Sequence, residues 1–119
     1  MHWHWRSGYK FLRAGVELNN DGFWVHLGSA GCQGTVQNIT HCRYPNRVPV
    51  LLTDYRSGDT VIADLSMLLG AADLTDSEAT DCASGPAEES CGPIFGRLGL
   101  DHESGTISGP QRLFSTRTK

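Results

Sequence analysis

Four cysteines, Cys32, Cys42, Cys82 and Cys91, fall as two local pairs, one in each half of the 119-residue chain. Zinc ribbons leave two to four residues between paired cysteines, whereas nine and eight lie between these. Of the three possible pairings the simplest is local, Cys32 with Cys42 and Cys82 with Cys91. Each bridge would close a loop of about ten residues and stabilise by about 2–3 kcal/mol through the unfolded state. Bridges of this kind imply an oxidising compartment, whereas four reduced thiols would imply a cytosolic one. A secretory chain opens on a charged and then an apolar leader, but here Met1 runs directly into domain-like sequence. The expectation is therefore a leader already removed, or a chain that begins inside a longer protein.

The length suits one domain, residues 1–119, with a modest core. A hydrophobic content of 39% and a charged content of 19% are globular values. The net charge is −3 and no basic run interleaves with aromatics, so no nucleic-acid partner is expected. No apolar run reaches the roughly 18 residues that mark a membrane span.

Residues 9–18 alternate imperfectly as a strand, Asn19-Asn20-Asp21-Gly22 supplies turn chemistry, and Phe23-Trp24-Val25-His26-Leu27 follows as a second strand. The pattern predicts a β-hairpin with Trp24 and His26 on one face. Gly28 to Gly34 reads as a glycine-rich connection without the Lys-Ser/Thr ending of a phosphate loop. The loop from Cys32 to Cys42 contains Asn38-Ile39-Thr40, formally a glycosylation sequon. Val48 to Leu52 reads as a buried strand weakened by Pro49, and Thr60 to Ala63 as a short one. Asp64 caps a short helix over Leu65 to Leu69 that ends at Gly70, with Met67 plugging the core. Residues 71–91 form an acidic, solvated loop, without the glycine and ligand spacing of an EF-hand. A helix over Pro93 to Leu100, a turn over Asp101 to Gly105 and a strand over Gln111 to Ser115 complete the chain, which is mainly β.

His2-Trp3-His4-Trp5 carries two of the five histidines and two of the three tryptophans. In an extended segment His2 and His4 would share one face about 7 Å apart, with Trp3 and Trp5 on the other. Neutral imidazoles suit copper or zinc, although a complete site needs further ligands. The plainer alternative makes the tryptophans core anchors and the histidines solvated.

The segments His2 to Arg13, Phe23 to Cys32, Pro45-Asn46-Arg47, Cys82 to Pro86 and Cys91 to Phe95 resemble, in order, the MbnP-like copper-binding proteins, the four-cysteine partners of a metallo-mystery pair. The resemblance implies an antiparallel β-sandwich, or the C-terminal part of one lacking the family's N-terminal strands, with one or two short helices and the two local disulfides. It implies a periplasmic or secreted, non-catalytic protein that binds copper for acquisition or handling. It also implies a tryptophan oxidised to kynurenine by a partner di-haem cytochrome peroxidase of the MauG-like type. Local chemistry makes His2, His4 and His26 the metal-ligand candidates and Trp3, Trp5 and Trp24 the oxidisable ones, while the resemblance leaves open whether some or all of the family's copper ligands lie in its N-terminal strands.

Two other functions fit parts of the sequence. One is a disulfide-stapled binding module without metal. The other is a metal-dependent hydrolase using His26, His41 or His102 with Asp54 or Asp101, which requires converging ligands and a general base. No HExxH spacing supports the latter.

Overall fold

The computed structural model describes residues 10–18, 21–35, 37–70 and 81–119. Strands β1 (Lys10–Leu18) and β2 (Asp21–Gly28) form the expected antiparallel hairpin. Strand β2 begins earlier than the sequence pattern suggested, because pairing continues down to Leu18 opposite Asp21. The expected turn residues Asn19 and Asn20 lie outside the described residues. Leu12 faces Leu27, Ala14 faces Val25 and Val16 faces Phe23. Directly opposed residues share a face, so these six form the inner surface of the hairpin. Phe23, Val25 and Leu27 are buried, with Leu12, Ala14 and Val16 packed against the same core. A bulge between Lys10 and Leu12 takes Phe11 out of this alternation.

The core is completed from three other places. The short helix α1 (Leu65–Leu69) contributes Leu68 and Leu69, and helix α2 (Cys91–Arg97) contributes Cys91, Ile94 and Phe95. Leu98, Leu100 and Leu113 close the remaining side. At α1, the Asp64 carboxylate accepts the N–H groups of Ser66 and Met67 at 2.9 and 3.3 Å, a helix cap that fixes where the first turn begins. That phase turns Leu68 inward and leaves Met67 38% exposed. The core plug is thus Leu68 with Leu69, correcting the role expected of Met67.

Strands β3 (Ala30–Gly34) and β4 (Ile39–Tyr44) form a second antiparallel ladder where the sequence suggested only a connection and a loop. Cys32 and Cys42 stand directly opposite one another in it and are bonded. A covalent cross-strand pair supplies what this glycine-rich stretch lacks in apolar alternation. The third ladder pairs β5 (Thr60–Ala63) with β6 (Phe114–Arg117). Strand β6 starts later than expected because the Gln111 side chain brackets the Phe114 backbone, donating to its carbonyl and accepting from its N–H, both at 2.8 Å.

Residues 48–52 form no strand, and Leu51 is 82% exposed. Pro49 has no N–H to give to a ladder, and only Val48 reaches the core. Helix α2 begins at Cys91, ahead of the expected Pro93, because Cys91 N–H and Gly92 N–H bond to the carbonyls of Glu88 and Glu89 and start the turn early. It ends at Arg97 with Leu98 as its C-cap, before Gly99 at φ 78°, a left-handed position that suits glycine. The expected acidic loop falls partly on 71–80, outside the described residues. The architecture is mainly β and antiparallel, of the expected sandwich-like type, with two short helices among the described residues and both disulfides closed locally.

Two turn carboxylates make stability depend on acid. Asp64 is held below the usual value of 3.8 chiefly by the Ser66 hydroxyl, then by the Met67 N–H. Asp101 is lowered chiefly by the Ser104 hydroxyl, then by the Ser104 N–H. A carboxylate with a depressed native pKa stabilises the fold above its unfolded-state value, and that contribution disappears as pH falls through the native value. The double variant Asp64→Asn, Asp101→Asn should therefore lose less stability than the wild type on acidification below about pH 4, read from urea midpoints.

Candidate functional site

The outer face of the hairpin carries Arg13 opposite His26 and Gly15 opposite Trp24. Strand alternation puts all four on one surface, away from the core set. The indole lies across the hairpin with its six-membered ring on Gly15, where any β-carbon would collide with Cε3 and Cζ3. Its Nε1 reaches Gly22, 3.1 Å from where a β-carbon there would stand. The Arg13 guanidinium sits over the same ring at 4.7 Å from its centroid, a cation–π contact. Arg13 is the cross-strand neighbour of His26, yet its charge is drawn onto the indole.

Strand β2 is fixed from its other edge by the segment 81–84. Trp24 N–H donates to the Asp81 carboxylate at 2.9 Å, and His26 N–H donates to the Cys82 carbonyl at 2.7 Å. Cys82 N–H returns to the Trp24 carbonyl at 2.9 Å, a parallel bridge around Val25. The buried Ser84 hydroxyl donates to the His26 carbonyl at 2.6 Å and accepts from Gly28 N–H at 3.0 Å. Glu88 holds this segment in turn, its carboxylate accepting from Ala83 and Gly85 N–H at 3.0 and 2.7 Å. The Cys82–Cys91 bridge ties it to the first residue of α2.

Pro45-Asn46-Arg47 docks on the far end of β2. Asn46, 1% exposed with φ 52°, donates its carboxamide N–H to the Gly28 carbonyl at 2.8 Å. The Ser29 hydroxyl donates to the Pro45 carbonyl at 2.7 Å. Arg47 then stacks over Phe11 at 5.2 Å from the ring centroid. A cleft of about 370 Å³ beside this pair is lined by Ser29, Thr40, His41 and Arg47 among others.

Of the candidate metal ligands, His26 is partly buried on the Trp24 face with its Nε2 fully covered. His2, His4, Trp3 and Trp5 lie outside the described residues. All four cysteines are bridged, so none offers a thiolate. The residues of the hydrolase reading have separate surroundings. His41 is exposed on β4 opposite Gln33, while His102 Nε2 lies 2.9 Å from the Gly85 carbonyl with its ring edge-on to Phe95. Asp54 accepts the Thr116 hydroxyl at 2.6 Å, and Asp101 holds Ser104. Among the described residues no three His, Cys, Asp or Glu side chains are grouped to hold a metal ion.

The stretches quoted from the sequence thus meet around one strand: 23–32 is the strand and its exit, Asn46 grips one end, and 81–84 with Cys91 holds the edge. A family model described as MbnP matches residues 1–84. The chain belongs to the MbnP family. It is also similar to the solved structure of MbnP from Methylosinus trichosporium, at 25% identity and a TM-score of 0.78. That match covers 98% of this chain and 49% of the other, so the chain spans about half the length of its MbnP relative. Comparison with curated proteins gives no match.

Arg13, Gly15, Asp81 and Ser84 were not singled out from the sequence. Gly15 did carry a signal, since a glycine inside a strand marks the close approach of another group. Asp81 and Ser84 carried none, because their role depends on meeting a strand 57 and 58 residues away.

Gly15→Ala should displace the indole, costing about 1–3 kcal/mol of stability and moving one of the three indole N–H resonances. Gly92→Ala, where a β-carbon meets nothing within 4 Å, should do neither. Ser84→Ala strands the Gly28 N–H and is expected to cost about 1–3 kcal/mol in denaturant unfolding.

Proposed function

We propose that this chain forms part of a non-catalytic copper-binding protein of an oxidising, extracytoplasmic compartment, acting in copper acquisition or handling. The observation that carries the reading is the Trp24–His26 face, an imidazole and an indole two residues apart on a strand held along both edges, in a chain of the MbnP family. The two disulfides support the oxidising compartment.

The described residues fit one wall of such a site. His26 would supply an imidazole nitrogen, a donor suited to both oxidation states of copper, and His2 and His4 are the further candidates in this chain. With thiolates absent among the described residues and no group of three ligands assembled there, the remaining donors come from elsewhere in the protein. Bound copper would be cargo, held by soft or borderline nitrogen donors. Arg13 keeps a positive charge stacked on Trp24, and the 81–84 segment fixes the backbone of His26 so that its ring is presented in one orientation. Trp24 is the described candidate for oxidation to kynurenine, alongside Trp3 and Trp5, with a di-haem MauG-like peroxidase as the partner that supplies the oxidation.

The test is a Cu(I) competition titration of the full-length mature protein and of its His2→Ala, His4→Ala and His26→Ala variants. His26→Ala is expected to weaken binding roughly tenfold or more, the scale of losing one ligand or its support. Unchanged affinity in all three variants would remove these imidazoles from the site. Absence of any copper binding would favour the metal-free binding module. Peptide mass spectrometry after co-expression with the haem partner should find kynurenine in place of one tryptophan.

A further inference from the structure

A second cleft, of about 440 Å³, lies between the end of α2 and the segment 108–112 and shares no residue with the Trp24–His26 face. Its lining includes Arg97, Arg112 and Ser108, with Gly96 and Gly109, and no carboxylate. That composition stands out in a chain whose net charge is −3. Arg112 N–H donates to the Arg97 carbonyl at 2.8 Å, which joins the two backbones, and both residues line the cleft. Among the described residues neither guanidinium has a hydrogen-bond or ion-pair partner, and the Ser108 hydroxyl has none either.

The backbone around the cleft is already satisfied. Ser108 and Gly109 N–H bond to the Gly99 carbonyl, Gly99 N–H bonds to the Gly96 carbonyl, and the Arg97 carbonyl is taken by Arg112. The last carbonyls of α2 therefore do not stand as free acceptors facing an incoming anion. A β-carbon added at Gly96 or Gly109 meets nothing within 4 Å, so the glycines leave the floor open. Two unpaired forks of N–H donors beside a free hydroxyl match the oxygens of a carboxylate or phosphate, which arginine binds in bidentate fashion. The volume is that of a small-molecule site.

We propose that this cleft binds a small oxyanion, a molecule bearing carboxylate or phosphate groups, through Arg97, Arg112 and the Ser108 hydroxyl. The site is independent of copper. The full chain in metal-free buffer is titrated with citrate and, separately, with inorganic phosphate, followed by calorimetry and amide NMR shifts, with sodium chloride at matched ionic strength as the reference. Saturable one-to-one binding is expected, with shifts confined to the end of α2 and residues 108–112. Saturation by citrate alone assigns the site to carboxylates, and by phosphate alone to phosphates. Arg97→Gln and Arg112→Gln should each weaken binding at least tenfold. Gly96→Leu fills the floor while keeping both charges and should abolish binding, so it decides the matter if an arginine variant fails to fold. A response no different from that of chloride, or undiminished affinity in Gly96→Leu or in a folded Arg97→Gln, Arg112→Gln double variant, overturns the proposal.

Discussion

Everything on the outer face of the hairpin depends on how the second edge of β2 is satisfied. A strand has two rows of polar backbone groups, and β1 takes only one of them. The N–H groups of Trp24, His26 and Gly28 on the other row go to a side-chain carboxylate, a backbone carbonyl and a side-chain hydroxyl. Three different chemical groups within four residues do the work of a third strand. This arrangement makes β2 an internal strand without a long partner, and it leaves the faces above and below to packing and to function.

The division between those faces follows from register. With Ala14 opposite Val25, the apolar row must point inward, and a slip of one residue would bury Arg13 and His26 in its place. The energetic penalty for that exchange is large, since it would desolvate a guanidinium against Ile94 and Phe95 in the fully buried centre. Trp24 and His26 are thus placed outward by the need to keep Phe23, Val25 and Leu27 inside. Gly15 then decides where the indole rests, because it alone leaves room for a ring flat against β1.

What the sequence made legible were features whose cause is local. Alternation from Tyr9 to Leu27 announced the hairpin, Asp64 announced its helix, and the short spacing of each cysteine pair announced its bridge. Missed features had distant causes. The β3–β4 ladder is rich in glycine and poor in alternating apolar residues, so only the opposed cysteines mark it, and they do so only once paired. Residues 48–52 had strand-like composition, but Pro49 and the absence of a facing partner leave Leu51 in solvent. For the site, Trp24 and His26 were visible as a shared face, whereas their supports on Asp81 and Ser84 come from the opposite half of the chain.

That distance sets an order of assembly. The hairpin of β1 and β2 can close early, because its two strands are neighbours in sequence. Its outer row stays unpaired until the chain has extended some 57 residues further and Asp81 becomes available. Loop closure over such a span carries an entropic cost that only rises slowly with length, but it must be met before the contacts reward it. Until then the strand bearing Trp24 and His26 is an open edge, able to pair with another nascent chain. Closing Cys82 to Cys91 holds 81–84 against α2, so the oxidation of two buried cysteine thiols in the second half of the protein shapes in advance the segment that completes a strand in the first.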